Sequence, residues 1–217
     1  MGQAKNIALF SCGILFAILL ALMVGKYPLT PAELLGLMTH SNTAQADPRA
    51  AIVFWQIRLP RILAALMIGA GLSSAGAAYQ GIFRNPLVSP DILGVSAGAG
   101  MGACVAMWLG LPIVMVQLLA FAGGMLAVTL TCLIAHMAKR HDPVLSLVLV
   151  GIAIGTMCGA VISLIKILAD PYTQLPSITF WLLGGLSTIT QYDLYSTAPV
   201  LLLGMLPLLL LRWRMNL

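Results

Sequence analysis

From Ile92 to Ala138 the chain runs 47 residues without an Asp, Glu, Lys or Arg. As a single straight helix that stretch would be about 70 Å long, roughly twice the thickness of a bilayer core. It has to fold back on itself, and Gly110-Leu111-Pro112 carries the turn chemistry for doing so. The stretch therefore reads as two apolar helices, 92 to 109 and 113 to 137.

The remainder of the chain obeys the same constraint. Charged residues make up 8% of 217 residues, against about 25% in soluble proteins. Too little charge is available to cover a soluble surface, so lipid has to serve as part of the solvent. The fold class that follows is all-α, a polytopic integral membrane helix bundle, read as one transmembrane domain over 1–217. A span takes about 20 mostly apolar residues. The pattern predicts six, at 7–25, 62–83, 92–109, 113–137, 144–166 and 194–211.

The first run, Ile7 to Gly25, follows Lys5, is longer than a usual signal h-region and ends without a small-x-small cleavage site, so it reads as a retained span. Residues 26 to 57 are too broken to cross, with a short interfacial helix expected at 31–38 behind Thr30-Pro31. After the polar break KILADPYTQLPS, the segment FWLLGGLSTI is too short to span and reads as a short or re-entrant helix.

Six spans put both ends on one side. With the N-terminus inside, Lys5, Arg84, Lys139, Arg140, Arg212 and Arg214 face inward, while Lys26, Arg49, Arg58, Arg61 and Lys166 face outward. The acidic residues leave +4 inside and +1 outside, which favours a cytoplasmic N-terminus. The formal charge of +5 thus reports orientation and gives no nucleic-acid patch. Arg58 and Arg61 blur the asymmetry, so something besides topology keeps them at the mouth of a span.

Glycines repeat at 94, 98 and 102 and again at 151, 155 and 159. Small-xxx-small rows let helix backbones approach closely in lipid. Such faces can also line a pathway, and the spacing fits both readings. No Asp or Glu sits mid-span, so a proton- or sodium-coupled carrier lacks its usual residue. HExxH, GxSxG, a Ser-His-Asp set and a P-loop are all missing from the sequence, so no catalytic residue, metal site or cofactor is expected. Cys12, Cys104, Cys132 and Cys158 lie in apolar runs without metal-ligand spacing. Asn85-Pro86 and Ser89-Pro90 mark the turn between the second and third spans.

Three strings recur together: RLPR at 58–61, GAGLSSAGAAYQGIFRNPLVSPDILGVSAGAGMG at 69–102, and WLLGGLS at 181–187. In this order the chain resembles the FecCD-type permeases of bacterial ABC importers, which take up ferric siderophores, haem, cobalamin and in some cases molybdate. The resemblance implies a permease subunit of the bacterial cytoplasmic (inner) membrane, working as a homodimer or paired chain. Cytoplasmic ATPase subunits would drive it, and a periplasmic or lipid-anchored binding protein would deliver substrate, with ferric siderophore the expected cargo. It implies binding-protein docking at Arg58 and Arg61, against the simpler reading of headgroup anchoring. It also implies a pathway along Gly151, Gly155, Gly159, Trp181, Gly184 and Gly185, and an inner gate near Val144 and Leu145. Family members run to ten spans, and the coupling segment and second half lie beyond Leu217. The alternative expectation is therefore a truncated, non-transporting remnant or half of a split permease.

Overall fold

The computed structural model describes residues 2–39, 48–86, 88–138 and 143–215, and their side chains except at 2–4, 38, 143 and 212–215. Among the described residues the secondary structure is helical. Its elements are α1 (Gly2–Met23), α2 (Pro31–Thr39), α3 (Pro48–Ile52), α4 (Leu59–Phe83), α5 (Val95–Trp108), α6 (Ile113–Met137), α7 (Pro143–Leu168), α8 (Gln174–Leu183) and α9 (Gln191–Met215). A π-helical turn, Val53–Arg58, joins α3 to α4, and a 3-10 turn, Pro90–Leu93, precedes α5. Among the described residues, five helices are long and apolar enough to cross a membrane: Lys5–Met23, Pro48–Phe83, Ile113–Met137, Val144–Leu168 and Gln191–Leu211. The protein is a multi-pass helical membrane bundle.

Contacts cluster into two compact units, one of residues 1–71 with 186–207 and the other of 72–185 with 208–217.

In the first unit, α1 turns back through residues 24–30 into α2. Thr30 begins α2 with a reciprocal capping box: its N–H donates to Glu33 Oε2 at 2.8 Å and the Glu33 N–H donates to Thr30 Oγ1 at 3.3 Å. Pro31 takes the first helical position, where its missing N–H costs nothing. Leu22, Leu29, Leu34, Ala50 and Phe54 form the core of this unit. The helix that continues into α4 starts at Pro48, fourteen residues before the expected start at Ile62. The cause is local. Pro60 has no N–H and crowds the carbonyl four residues earlier. The chain widens into a π turn, with the Leu59 N–H donating to the Phe54 carbonyl five residues back, and the helix survives the proline.

In the second unit α5 is central. It is 14 residues long, about 21 Å, too short for a bilayer core. Its Gly98, Gly100, Gly102, Ala103, Cys104 and Ala106 are buried. A Cβ at Gly98 would stand 2.5 Å from the Ala127 Cβ, and one at Gly102 would overlap the Leu119 carbonyl oxygen, so α5 and α6 meet backbone to backbone. On another side, Cys104 packs with Ile165 and Ala169 near the end of α7 and with Ile178 of α8.

Candidate functional site

Arg58 and Arg61 stand one turn apart, on either side of the π-to-α junction, yet their surroundings differ. Arg58 is 9% exposed. Its Nη1 donates to the Leu22 carbonyl and its Nη2 to the Tyr27 carbonyl. Leu22 lies in the last turn of α1, where carbonyls lack helical partners and the helix end carries partial negative charge. The neighbouring carbonyls find backbone donors, Val24 N–H to Leu20 at 2.8 Å and Leu29 N–H to Met23 at 3.3 Å. The guanidinium therefore completes the α1 terminus. Gly25 leaves room for it, because a Cβ there would stand 2.5 Å from Arg58 Nη2.

Arg61 is half-buried. Its Nη2 donates to the Ser187 carbonyl. Its Nε is buried without a hydrogen-bond partner. Beside it, Gln191 Nε2 donates to the Trp55 carbonyl at 3.0 Å. The RLPR turn and the chain leading into α9 are thus tied at two points. None of these partners carries a sequence signal, since all four acceptors around the turn are backbone carbonyls of residues distant in sequence from their donors. Thr190-x-x-Asp193 does carry one: Thr190 N–H donates to Asp193 Oδ2 at 2.9 Å, a capping box that starts α9 at Gln191, ahead of the expected 194.

The turn at Asn85, Pro86 and Pro90 begins with a Schellman closure of α4. Asn85 N–H donates to the Gln80 carbonyl at 3.2 Å and Arg84 N–H to Gly81 at 3.4 Å. Arg84 takes the left-handed position usually given to glycine, at φ 48°. Pro90 then opens the 3-10 turn. The expected third helix, 92–109, is broken at Gly94, whose φ is 76°. That break frees two carbonyls. Thr131 of α6, fully buried, donates its hydroxyl to Leu93 at 3.1 Å. The Ile92 carbonyl lies against Gly151, where a Cβ would overlap it.

The two glycine rows accordingly divide. Gly98, Gly102 and Gly151 are packing glycines. Gly155 makes ordinary contact, with Ala97 Cβ 3.9 Å from its Cβ position, and Gly159 faces open space. Trp181 is exposed near the end of α8, which stops at Gly184 with φ 68°. The short helix expected over FWLLGGLSTI therefore lies earlier, at Gln174–Leu183, and Gly184 and Gly185 follow it. Its start is set by Asp170, Tyr172 and Thr173, within the segment expected to be a polar break. Val144 and Leu145 lie in the first turn of α7, half-buried and exposed respectively. Nearby, Ala138, Ser146, Leu149, Val150 and Ala153 line an apolar pocket of about 220 Å³. Lys139, Arg140, His141 and Asp142 lie outside the described residues. Among the described residues no cluster of His, Cys, Asp and Glu could hold a metal ion.

A multi-pass helical bundle with a cationic turn and a glycine-packed core is the class the structure defines. The model of the FecCD transport family matches residues 13–217, and the chain belongs to that family. The molybdate import system permease protein MolB of Haemophilus influenzae is 37% identical over 202 residues, covering 91% of this chain and 59% of the relative. The vitamin B12 import system permease protein BtuC of Escherichia coli is 34% identical over 214 residues, 96% of this chain and 60% of that one. A solved metal-chelate type ABC transporter in an inward-facing conformation matches with a TM-score of 0.79 at 32% identity, covering 99% of this chain and 64% of that chain. The chain thus spans about three-fifths of the length of the curated relatives it matches.

Proposed function

We propose that this chain forms the membrane-spanning part of a permease in a binding-protein-dependent ABC importer, moving a metal chelate inward by alternating access. The family match across residues 13–217 carries this reading. A ferric siderophore is the proposed cargo; molybdate and vitamin B12, the substrates named for two relatives, are the competing cargoes. The RLPR turn is the proposed docking surface at the outer mouth, with acidic side chains of the binding protein as its complement. Rim charges of this kind steer encounter and fix register. Gly155, Gly159, Trp181 and the Gly184-Gly185 turn are the proposed pathway elements, and Val144 with Leu145 the proposed inner gate. ATP hydrolysis belongs to separate cytoplasmic subunits, a second permease chain completes the pathway, and the N-terminus lies in the cytoplasm of a bacterial inner membrane.

The test is reconstitution in liposomes with the ATPase and binding protein of the same importer, reading ATP hydrolysis with ferric siderophore, cobalamin or molybdate. Stimulation by ferric siderophore alone supports the proposal in full. Stimulation by another cargo overturns the substrate and keeps the importer. Binding-protein docking without ATPase capture by this chain favours the alternative, a non-transporting part or one half of a split permease.

A further inference from the structure

The two arginines of one turn differ in how firmly they are held. Arg58 has two carbonyl acceptors and completes a helix terminus. Arg61 has one, and its Nε–H is orphaned in a buried position. A buried donor without a partner is a standing cost of that arrangement. In this geometry the Ser187 carbonyl, held by Nη2, does not also reach Nε. A carboxylate can, because its two oxygens accept a guanidinium side-on through Nε and Nη2 together, and such charge-assisted pairs are stronger than bonds to a neutral carbonyl. Arg61 is therefore arranged to give up its present acceptor for a better one, whereas Arg58 is not.

We propose that Arg61 is a latch that exchanges acceptors: in the free chain it holds the Ser187 carbonyl, and on docking a partner carboxylate takes it and releases residues 186–190. The proposal rests on the docking reading above. What the latch restrains is specific. Between Arg61's hold on Ser187 and the Gln191–Trp55 bond lie three residues, supported by a long Ile189 N–H to Leu186 bond of 3.4 Å and by the Thr190–Asp193 box. When Arg61 leaves, Gln191 still pins the start of α9 at 3.0 Å to Trp55. The freed segment is thus bounded, and an event at the surface is converted into loosening of the chain that leads into α9. Arg58 acts beside it as a positioning residue, holding the π turn against α1 so that Arg61 is presented in one orientation.

Amide hydrogen exchange of the full chain in lipid nanodiscs tests this in two arms. Without any partner, Arg61→Ala should speed exchange at Ile189 and Thr190 about tenfold, the loss expected for one hydrogen bond to a charged group. Arg58→Ala should instead speed exchange at residues 24–29 and lower the melting temperature. Arg61→Lys keeps the cation and serves if the alanine variant fails to fold; its rates should fall between. Unchanged exchange at 189–190 in the Arg61 variants overturns the latch. In the second arm the substrate-binding protein encoded with the importer is added. Wild-type exchange at 189–190 should rise to the Arg61→Ala rate, and Arg61→Ala should show no further rise. If Arg61→Glu abolishes binding while wild-type exchange is unmoved by the partner, docking stands and the latch is wrong. If Arg61→Glu binds as well as wild type, the docking reading fails and the exchange of acceptors fails with it.

Discussion

At the scale of single residues, function is set by what each polar group is offered. Asp170, in the turn after α7, accepts the Thr173 hydroxyl at 2.6 Å, the Thr173 N–H at 2.7 Å and the Tyr172 N–H at 3.1 Å. The Thr173 hydroxyl and then its N–H hold the carboxyl below its ordinary value. A folded-state value below the unfolded one means that the stabilisation is complete above the ordinary carboxylate range and is lost as pH falls through the lowered value. Asp170→Asn keeps an acceptor and removes the charge. Its melting temperature should lie below wild type at pH 7, and the gap should shrink below about pH 4, where the unfolded chain's carboxyl takes up its proton. A gap that is constant with pH would show that the charge contributes nothing to this turn. Arg58 and Arg61 make the same point for cations: their types and spacing are plain in RLPR, but which one is consumed inside the fold is not, because the deciding acceptors are the carbonyls of Leu22, Tyr27 and Ser187.

At the scale of elements, helix extent was largely legible and helix interruption was not. The range of α6, 113–137, follows from apolar length and the Gly110-Leu111-Pro112 turn. The α2 start follows from Thr30-Pro31. The extension of the α4 helix back to Pro48 was hidden, because Pro60 reads as a helix boundary unless a π turn absorbs it. The break at Gly94 was hidden for the opposite reason, since Gly94 sits in register with Gly98 and Gly102 and reads as packing. The glycine rows predict a graded mutational outcome. Gly102→Ala forces a methyl into the Leu119 carbonyl and should cost about 1–3 kcal/mol or more, lowering the thermal transition in detergent. Gly159→Ala meets open space within the chain and should be neutral or stabilising by up to about 1 kcal/mol through helix propensity. Equal effects at both positions would remove the distinction between packing and open glycines. Thr131→Val strips the Leu93 carbonyl of a buried donor and should cost about 1–3 kcal/mol in the same measurement; an unchanged transition would mean the 3-10 turn is held by packing alone.

At the scale of the whole molecule, composition and the three recurring strings already place the chain in a multi-pass helical transport family, and the match over residues 13–217 agrees. The helical, multi-pass class is local physics: a low-charge chain must satisfy its backbone within helices once it enters lipid, and span length follows from bilayer thickness; the transport family rests on the resemblance carried by the three strings. Sequence also determined where the cations, turns and glycine rows lie. Tertiary structure decided what each of them is used for. Gly151 became a packing glycine because the Ile92 carbonyl arrives there, and Gly159 did not because nothing does. Arg58 became a helix-end clasp and Arg61 a half-satisfied donor because α1 and the chain before α9 bring carbonyls to one turn. Backbone carbonyls are the same at every residue, so no side-chain pattern records which of them a distant donor will meet.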